Sequence, residues 1–458
     1  MQPAVSSRFI PSAALMAILT TTAGPAAAQA TSLSQEQAVT MAVEGHPAVE
    51  AATHAVAAAE ARTSQTRTAW IPRVKAEAGY MLIAPVQEMV IEQEVALPAP
   101  LGPQSFAIER EMGSLHNVSA GVSAGWRVFE MGARLARTDA AEALERAARA
   151  EAQEQAVQIA YAVRSAYQAA RFAAEVEAVT QKSLEVAEAE LKNEAIKKKA
   201  GIGNDLDLAR TEMRVAKLEA QLGRATEEKK RFHTTLRLLL DLKPTAQLSL
   251  TDDLESLGTQ PTGGPLRPEQ HPMKKKIAAQ AAAVEHEHER LWRTYWPTID
   301  IMGSVKYQYP KSPFDNEEGG MIYTAGAMLT WTVFDGDLIR RQRNETEAKL
   351  AALRAGNRAA DTEIARGQAD AEAQMRAAQA DVQAADRTLE AAEVYHRAAE
   401  ASLDAGTGTS LEVSQAADKM DQARLGLLKA YLDSARGRAA YLRAAGKGAE
   451  GSSQEARR

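Results

Sequence analysis

Three carboxylates in this chain are spaced so that they could act on ions. Asp205 and Asp207 follow Gly201-Ile202-Gly203 by a few residues, and Glu412 stands four residues past Gly408. In the first turn of a helix such acids ordinarily only complement the helix dipole, an effect of about 0.3–1 kcal/mol each. Repeated by symmetry around an aperture, the same acids would form a ring of like charge that attracts cations and repels itself on contraction. The histidines offer less. His286 and His288 lie in Glu285-His286-Glu287-His288-Glu289, and residues two apart on a helix do not share a face, which fits a solvated surface better than a metal site. His396 falls within an apolar helical seam, while His46 and His271 each precede a proline at matching places of a repeat. The chain has no cysteine, which excludes disulfides and thiolate metal ligands. No nucleophile, acid–base pair or ligand set converges, so no catalytic residue, metal or cofactor is assigned and an enzyme is not expected.

The elements that carry these acids are unusual. Alanine dominates long stretches, and aromatics make up only 5% of the 458 residues. Small side chains suit helices packed closely along a seam more than the filling of a wide core. A net charge of −6 and one short basic run, Lys197-Lys198-Lys199, give no footing for nucleic acid. Residues 1–30 read as a signal peptide: Arg8 supplies the positive start, Phe9 to Thr22 the apolar run, and Ala28-Gln29-Ala30 the small residues before cleavage. The mature chain is then expected to begin at Thr31, with a charge of −7 once Arg8 is taken from the total of −6. No later segment supplies 18 successive apolar residues, so a spanning helix is not expected. A β-barrel remains open to such a chain.

An internal repeat organises the rest. His46-Pro47 recurs as His271-Pro272, and Trp70-Ile71-Pro72 as Tyr295-Trp296-Pro297, both at an offset of 225. Trp126-Arg127-Val128-Phe129-Glu130 recurs as Trp331-Thr332-Val333-Phe334-Asp335, and Ala200-Gly201-Ile202-Gly203 as Ala405-Gly406-Thr407-Gly408, both at 205. One longer loop between Pro72 and Trp126 accounts for the change of offset. The organisation expected is therefore a first repeat over 31–257, a Pro/Gly-rich linker over 258–268, a second repeat over 269–446 and a disordered tail over 447–458.

Each repeat alternates between two periods. Ser34, with Gln37 completing a capping box, predicts a helix to about Ala69. Period-2 runs follow. Val74, Ala76, Ala78, Tyr80 and Leu82 lie opposite Arg73, Lys75 and Glu77, and Val118 to Val128 alternate with Ser119, Gly121, Ser123 and Gly125. The second repeat gives Ile299 to Tyr309 and Tyr323 to Val333. These lengths and patterns suit membrane-crossing strands. No proline interrupts Gly132–Ala200 or Gly336–Ala405, which predicts two rods of about 100 Å at about 1.5 Å per residue. Met375, Val382, Leu389, His396 and Leu403 alternate with Ala378, Ala385, Ala392 and Ala399 as a heptad seam. The glycines at 201, 203, 406 and 408 turn each rod back as a hairpin tip. Four strands cannot close a barrel, and hydrocarbon tolerates no open edge. Copies must therefore share one barrel; three would give twelve strands, and the patterning does not decide between three and four.

Taken in order, the Trp-Ile-Pro and Trp-Pro strand openings, the strand ends Val128-Phe129-Glu130-Met131-Gly132 and Val333-Phe334-Asp335-Gly336, and the two Gly-turns resemble the TolC-type outer-membrane efflux family, over about Leu33 to Gly446. The resemblance implies a mixed α+β membrane protein: a homotrimer with a twelve-strand β-barrel in outer-membrane lipid, continued by a periplasmic α-barrel. It implies a passive exit duct of a tripartite efflux or type I secretion system, with a periplasmic adaptor (membrane fusion) protein and an inner-membrane transporter as partners. On that basis Glu412, Asp207 and Asp205 are expected at a periplasmic gate, since members carry acids after the Gly-Thr turn at positions matching Glu412 and Gln415; the second is uncharged here. Residues 84–116 and 310–320 would be external loops, and Trp126 and Trp331 would mark the periplasmic membrane boundary at equal depth. A periplasmic adaptor would show one hairpin flanked by small β-domains, and a structural coiled coil would lack the four alternating runs; both remain as alternatives of lower standing.

Overall fold

The computed structural model describes residues 31–96, 102–243, 246–259, 268–312 and 318–448. The signal peptide read over 1–30 lies outside the described residues, as do most of the linker and residues 449–458.

The chain opens with a short strand β1 (Thr31–Leu33) and then helix α1 (Gln35–Gly45), which starts where the capping box requires. Ser34 Oγ accepts from the Gln37 amide at 3.3 Å, and the Gln37 side chain accepts from the Ser34 amide at 2.9 Å. The single helix expected to reach Ala69 is instead broken at His46-Pro47. Pro47 opens a second helix, α2 (Pro47–Arg67), and His46 caps it, Nδ1 accepting from the Ala48 amide at 3.1 Å. Proline has no amide to donate and its ring opposes the preceding turn, so it serves as a first helical residue and not as an interior one. A 3-10 turn, Thr68–Trp70, leads into the sheet.

The first repeat then gives β2 (Arg73–Leu82), β3 (Gln87–Ala96), β4 (Pro103–Met112) and β5 (His116–Phe129). The region expected to be a plain external loop thus contains a hairpin, β3–β4, which forms a separate two-stranded sheet. Its register places Glu88 opposite Glu111 and Val90 opposite Glu109, so Glu92 and Glu94 share a face with those acids. Met89, Ile91, Val95 and Ile108 lie on the other face. Helices α3 (Ala133–Lys199) and α4 (Asp205–Leu239) form the first hairpin. Strand β6 (Leu248–Leu250) pairs in parallel with β1, and α5 (Leu254–Thr259) follows.

In the second repeat α6 (Pro272–Arg293) is capped by His271, Nδ1 accepting from the Met273 amide at 3.2 Å, as His46 caps α2. Strands β7 (Thr298–Tyr309) and β8 (Gly320–Thr330) precede helices α7 (Leu338–Asp404) and α8 (Ser410–Ala444). Strand β8 ends at Thr330, short of the expected Val333. Trp331 is outside it, its Nε1 donating to the Tyr295 carbonyl at 3.0 Å. The two repeats agree in their helices: α3 and α7 have 67 residues each, α4 and α8 have 35 each. They also share a turn from strand to long helix. Met131 and Gly132 have positive φ in the first repeat, and Gly336 and Asp337 have it in the second.

One four-stranded antiparallel sheet runs in the order β2-β5-β7-β8 and leaves β2 and β8 as open edges. Its register separates two faces. Val74, Tyr80, Val122, Trp126, Ile301, Val305, Tyr307, Tyr323 and Leu329 share one face and are all exposed. Exposed apolar surface on this scale is what lipid or another subunit covers. The other face carries serine, threonine, glycine and every charged residue of the four strands. About eleven residues per strand at about 3.4 Å, tilted by about 40°, span roughly the apolar band of an outer-membrane barrel.

The main core lies far from this sheet. Leu33, Val39, Ile159, Val163, Tyr167, Leu236, Leu240 and Leu257 cluster with Ala435. The Tyr167 hydroxyl donates to the Leu33 carbonyl at 2.9 Å and accepts from the Asp252 amide at 3.2 Å, fixing the β1–β6 pair against α3. Arg164 donates to the Gly448 carbonyl at 3.0 Å, so the first residues of the segment expected to be a free tail are held.

Candidate gate at the hairpin turns

Both long hairpins turn by the same device. After α3, Gly201 adopts φ +75°, and the Ile202 amide donates to the Lys197 carbonyl at 3.1 Å. After α7, Gly406 adopts φ +72°, and the Thr407 amide donates to the Ser402 carbonyl at 3.0 Å. These bonds satisfy carbonyls left free at a helix end, and the left-handed residue that permits them is glycine because a Cβ there costs about 1–2 kcal/mol. Gly203 and Gly408 are needed for a different reason. A Cβ on Gly203 would lie 2.4 Å from the Lys198 backbone nitrogen, and one on Gly408 would lie 2.9 Å from Ser402 Cβ.

The acids read as candidates sit just past these turns. Asn204 caps α4, its Oδ1 accepting from the Leu206 amide at 2.9 Å. Asp205 pairs with Lys198 at 2.7 Å, and that bond holds the Lys198 ammonium above its usual pKa. Asp207 pairs with Arg210 at 3.3 Å. Glu412 closes a capping box: Oε2 accepts from the Thr409 amide at 3.1 Å, while Thr409 Oγ1 accepts from the Glu412 amide at 3.3 Å. Its carboxylate is therefore positioned by the backbone and remains exposed. Asp207 lines a cleft of about 460 Å³ with Arg210, Arg214, Leu411, Gln415 and Asp418; Glu412 does not line it.

The charge cluster that joins the two hairpins is one the sequence did not reveal. Arg214, whose side chain is 5% exposed, reaches Glu190 of α3 at 2.8 Å and Asp418 and Asp421 of α8 at 3.1 and 3.9 Å. Lys217 adds a contact to Asp418 at 3.6 Å. Burying one guanidinium among three carboxylates is tolerable only while the opposing charges stay together. This arrangement can hold two hairpins side by side or release them as a unit. The signal was present in principle: Asp418 and Asp421 are three apart and share a helix face, and Arg214 adjoins Val215 of the apolar seam.

Trp126 lies within β5 in register with Ile301, which pairs with Ala327 of β8, four residues before Trp331. At the junction of sheet and helices Arg134 is buried, donating to Glu130 at 2.9 Å, with its guanidinium 4.4 Å from the centre of the Trp70 ring. Elsewhere, the pair read as a solvated cluster separates: His288 Nδ1 is 2.7 Å from Thr346 Oγ1, and no group of three or more His, Asp or Glu among the described residues could hold a metal ion.

A sheet apolar on one face and charged on the other, continued by two helical hairpins tied at their turns, defines an outer-membrane channel of combined β-barrel and helical-tunnel type. The chain belongs to the outer membrane efflux protein family, whose model matches residues 38–241 and 277–447. It is accordingly an outer-membrane protein extending into the periplasm. Among solved structures it is similar to the outer-membrane channel OprN, at 19% identity and TM-score 0.72 over 91% of this chain and 90% of that one. The outer membrane protein VceC of Vibrio cholerae is similar at 15% identity and TM-score 0.69, over 91% and 97%. The open state of the MtrE outer membrane channel of Neisseria gonorrhoeae is similar at 15% identity and TM-score 0.72, over 90% and 89%. No curated protein sequence matches.

Proposed function

We propose that three copies of this chain form the passive exit duct of a tripartite efflux or type I secretion system, fed by a periplasmic adaptor and an inner-membrane transporter. The observation that carries the reading is the four-stranded sheet with an exposed apolar face and open edges at β2 and β8. Unpaired edges are not tolerated in hydrocarbon, so β2 of one copy must pair with β8 of the next. Twelve strands leave a lumen, where a smaller barrel would fill with side chains. The two rods of each copy then continue the duct through the periplasm, and the Gly-turns form its far end.

In this reading Glu412 forms a ring of three carboxylates at the narrow end, held in place by its capping box, with Asp207 and Asp205 contributing around it. The Arg214 cluster keeps the hairpins together until an adaptor separates them. Trp126 and Trp331 mark the periplasmic boundary of the membrane. Energy comes from the inner-membrane partner, so the duct needs no catalytic site.

Fractionation tests this reading. The protein should be recovered from the outer membrane and migrate as a trimer in unheated detergent and as a monomer after boiling. Recovery as a soluble periplasmic monomer would overturn it.

A further inference from the structure

All six charged residues of the four barrel strands fall on the polar face: Arg73, Lys75, Glu77, Arg127, Asp300 and Lys306. Cations outnumber carboxylates by four to two, although the whole chain carries −6. One pair neutralises itself, Arg127 Nε donating to Asp300 Oδ1 at 3.0 Å. Arg73, Lys75 and Lys306 form no ion pair among the described residues. Glu77 is the only carboxylate left on this face, and it forms no ion pair with Lys306 among the described residues. Gly121 stands between them, Glu77 pairing with Gly121 on one side and Lys306 on the other, which separates their backbones by about 10 Å.

Two glycines of β5 shape the surface beside these cations in different ways. Gly121 lies so close beneath the Lys306 strand that a Cβ would meet the Val305 carbonyl oxygen at 2.6 Å. A Cβ on Gly125, next to Arg73, would meet nothing within 4 Å. A groove of about 400 Å³ lies beside Gly125, lined by Arg73, Lys75, Glu77, Ser123, Ser304 and Thr324, while Lys306 stands on the same face outside it. Ser304 and Thr324 are hydrogen-bonded across β7 and β8 at 2.7 Å. Hydroxyls beside unpaired cations suit the oxygens of carboxylates, phosphates or sulfonates.

We propose that the barrel lumen is an anion-selecting segment, which binds and passes small multivalent anions through Arg73, Lys75 and Lys306. This rests on the channel reading above, because only a shared barrel turns the polar face into a lumen lining. Three copies bring nine such cations against three Glu77 carboxylates. A low-dielectric wall concentrates the field of that excess inside the bore, whereas the acids near the Gly-turns act at the opposite end. The duct therefore has two filters of opposite sign in series.

The test uses purified full-length protein in planar bilayers under a KCl gradient at low ionic strength. K75Q/K306Q should lower the chloride-to-potassium permeability ratio by about twofold or more, and E77Q should raise it. Both effects should fade at 1 M salt, where screening shortens to about 3 Å. Inorganic tripolyphosphate added to the native channel from the outer side should block current with a voltage dependence that K75Q/K306Q removes. Conducting channels in which both variants leave the ratio unchanged, or in which tripolyphosphate blocks native and double-variant channels alike, would overturn the lumen proposal alone. If native protein in the outer-membrane fraction made no conducting trimer, the channel reading would fall and this inference with it.

Discussion

Arg214 on α4 and Asp418 on α8 stand 3.1 Å apart, although they belong to different repeats and different hairpins. Together with Glu190 and Asp421 they form a charge cluster around the buried Arg214 that spans both hairpins near the turns. Under the proposed function it acts as a latch on the turns, centred on one guanidinium.

R214M keeps length and apolar packing but leaves Glu190 and Asp421 without their guanidinium partner and Asp418 with only the exposed Lys217. Breaking a fully buried pair costs about 3–5 kcal/mol, and the partial exposure of Asp418 puts this case at or below the low end. Single-channel conductance should rise as the hairpins part, and the midpoint of thermal unfolding should fall. Adding D418N to R214M should recover part of that stability, because it removes one repelling charge. A conductance identical to that of the unaltered protein would show that the cluster does not set the aperture.

E412Q is a clean probe of the proposed acidic ring. Glutamine can close the same capping box, so the helix start should survive while the charge is lost. Cation preference and block by multivalent cations from the periplasmic side should both weaken, with trimer yield unchanged. E372Q, in α7 and remote from the turns, should do neither. If D207N altered both properties and E412Q neither, the ring would belong to the first hairpin.

Turn geometry makes a separate prediction. G201A places a Cβ on a left-handed residue with open space around it, and should cost about 1–2 kcal/mol through backbone strain alone. G203A meets the Lys198 backbone at 2.4 Å, a contact no rotamer can relieve. It should therefore loosen the turn more than G201A, read as faster amide hydrogen exchange over 196–206.

The architecture was legible where a pattern was long or repeated. Offsets of 225 and 205 located the strand pairs and the Gly-turns, and the His-Pro pairs marked matching places of the two repeats. That Pro47 breaks the first helix followed from proline chemistry but was masked by apolar spacing continuing on both sides. Hairpin β3–β4 was hidden because Glu88, Val90 and Glu92 mix charge and apolar residues on one face, which dilutes a period-2 signal. Strands β1 and β6 are three residues each and pair across most of a repeat, beyond any local pattern. The acids near the turns were legible from position alone. Arg214 was not, because its partners come from the other repeat and only tertiary packing brings them near.

His271 predicts a pH effect. Burial pushes its imidazole below the usual value, and the Glu154 carboxylate on α3 and the Arg443 carbonyl on α8 only partly oppose this. Its Nδ1 must also stay unprotonated to cap α6. The unfolded chain therefore takes up a proton first as pH falls. The stability linked to His271 is complete above about pH 6.5 and is lost as pH falls toward the lower folded value. H271N, which keeps a good cap, should flatten the dependence of the unfolding midpoint between pH 7.5 and 5. H271A removes both the cap and the titrating group, so it should cost about 1 kcal/mol near neutral pH, with the gap to the native protein closing as pH falls. Burial also lowers His233, so replacing His233 as well should flatten the slope further. An unchanged slope in the double variant would contradict the assignment.

The central claim is that open edges β2 and β8 close against each other between copies, and the absence of cysteine makes it directly measurable. Cysteines placed in pairs, at Ala76 or Ala78 on β2 with Ala325 or Ala327 on β8, should cross-link on oxidation in intact outer membranes. At least one pair should give a ladder that ends at three chains, while each single substitution stays monomeric on a denaturing gel. Monomer from every pair, or a ladder running past three, would contradict the shared twelve-strand barrel.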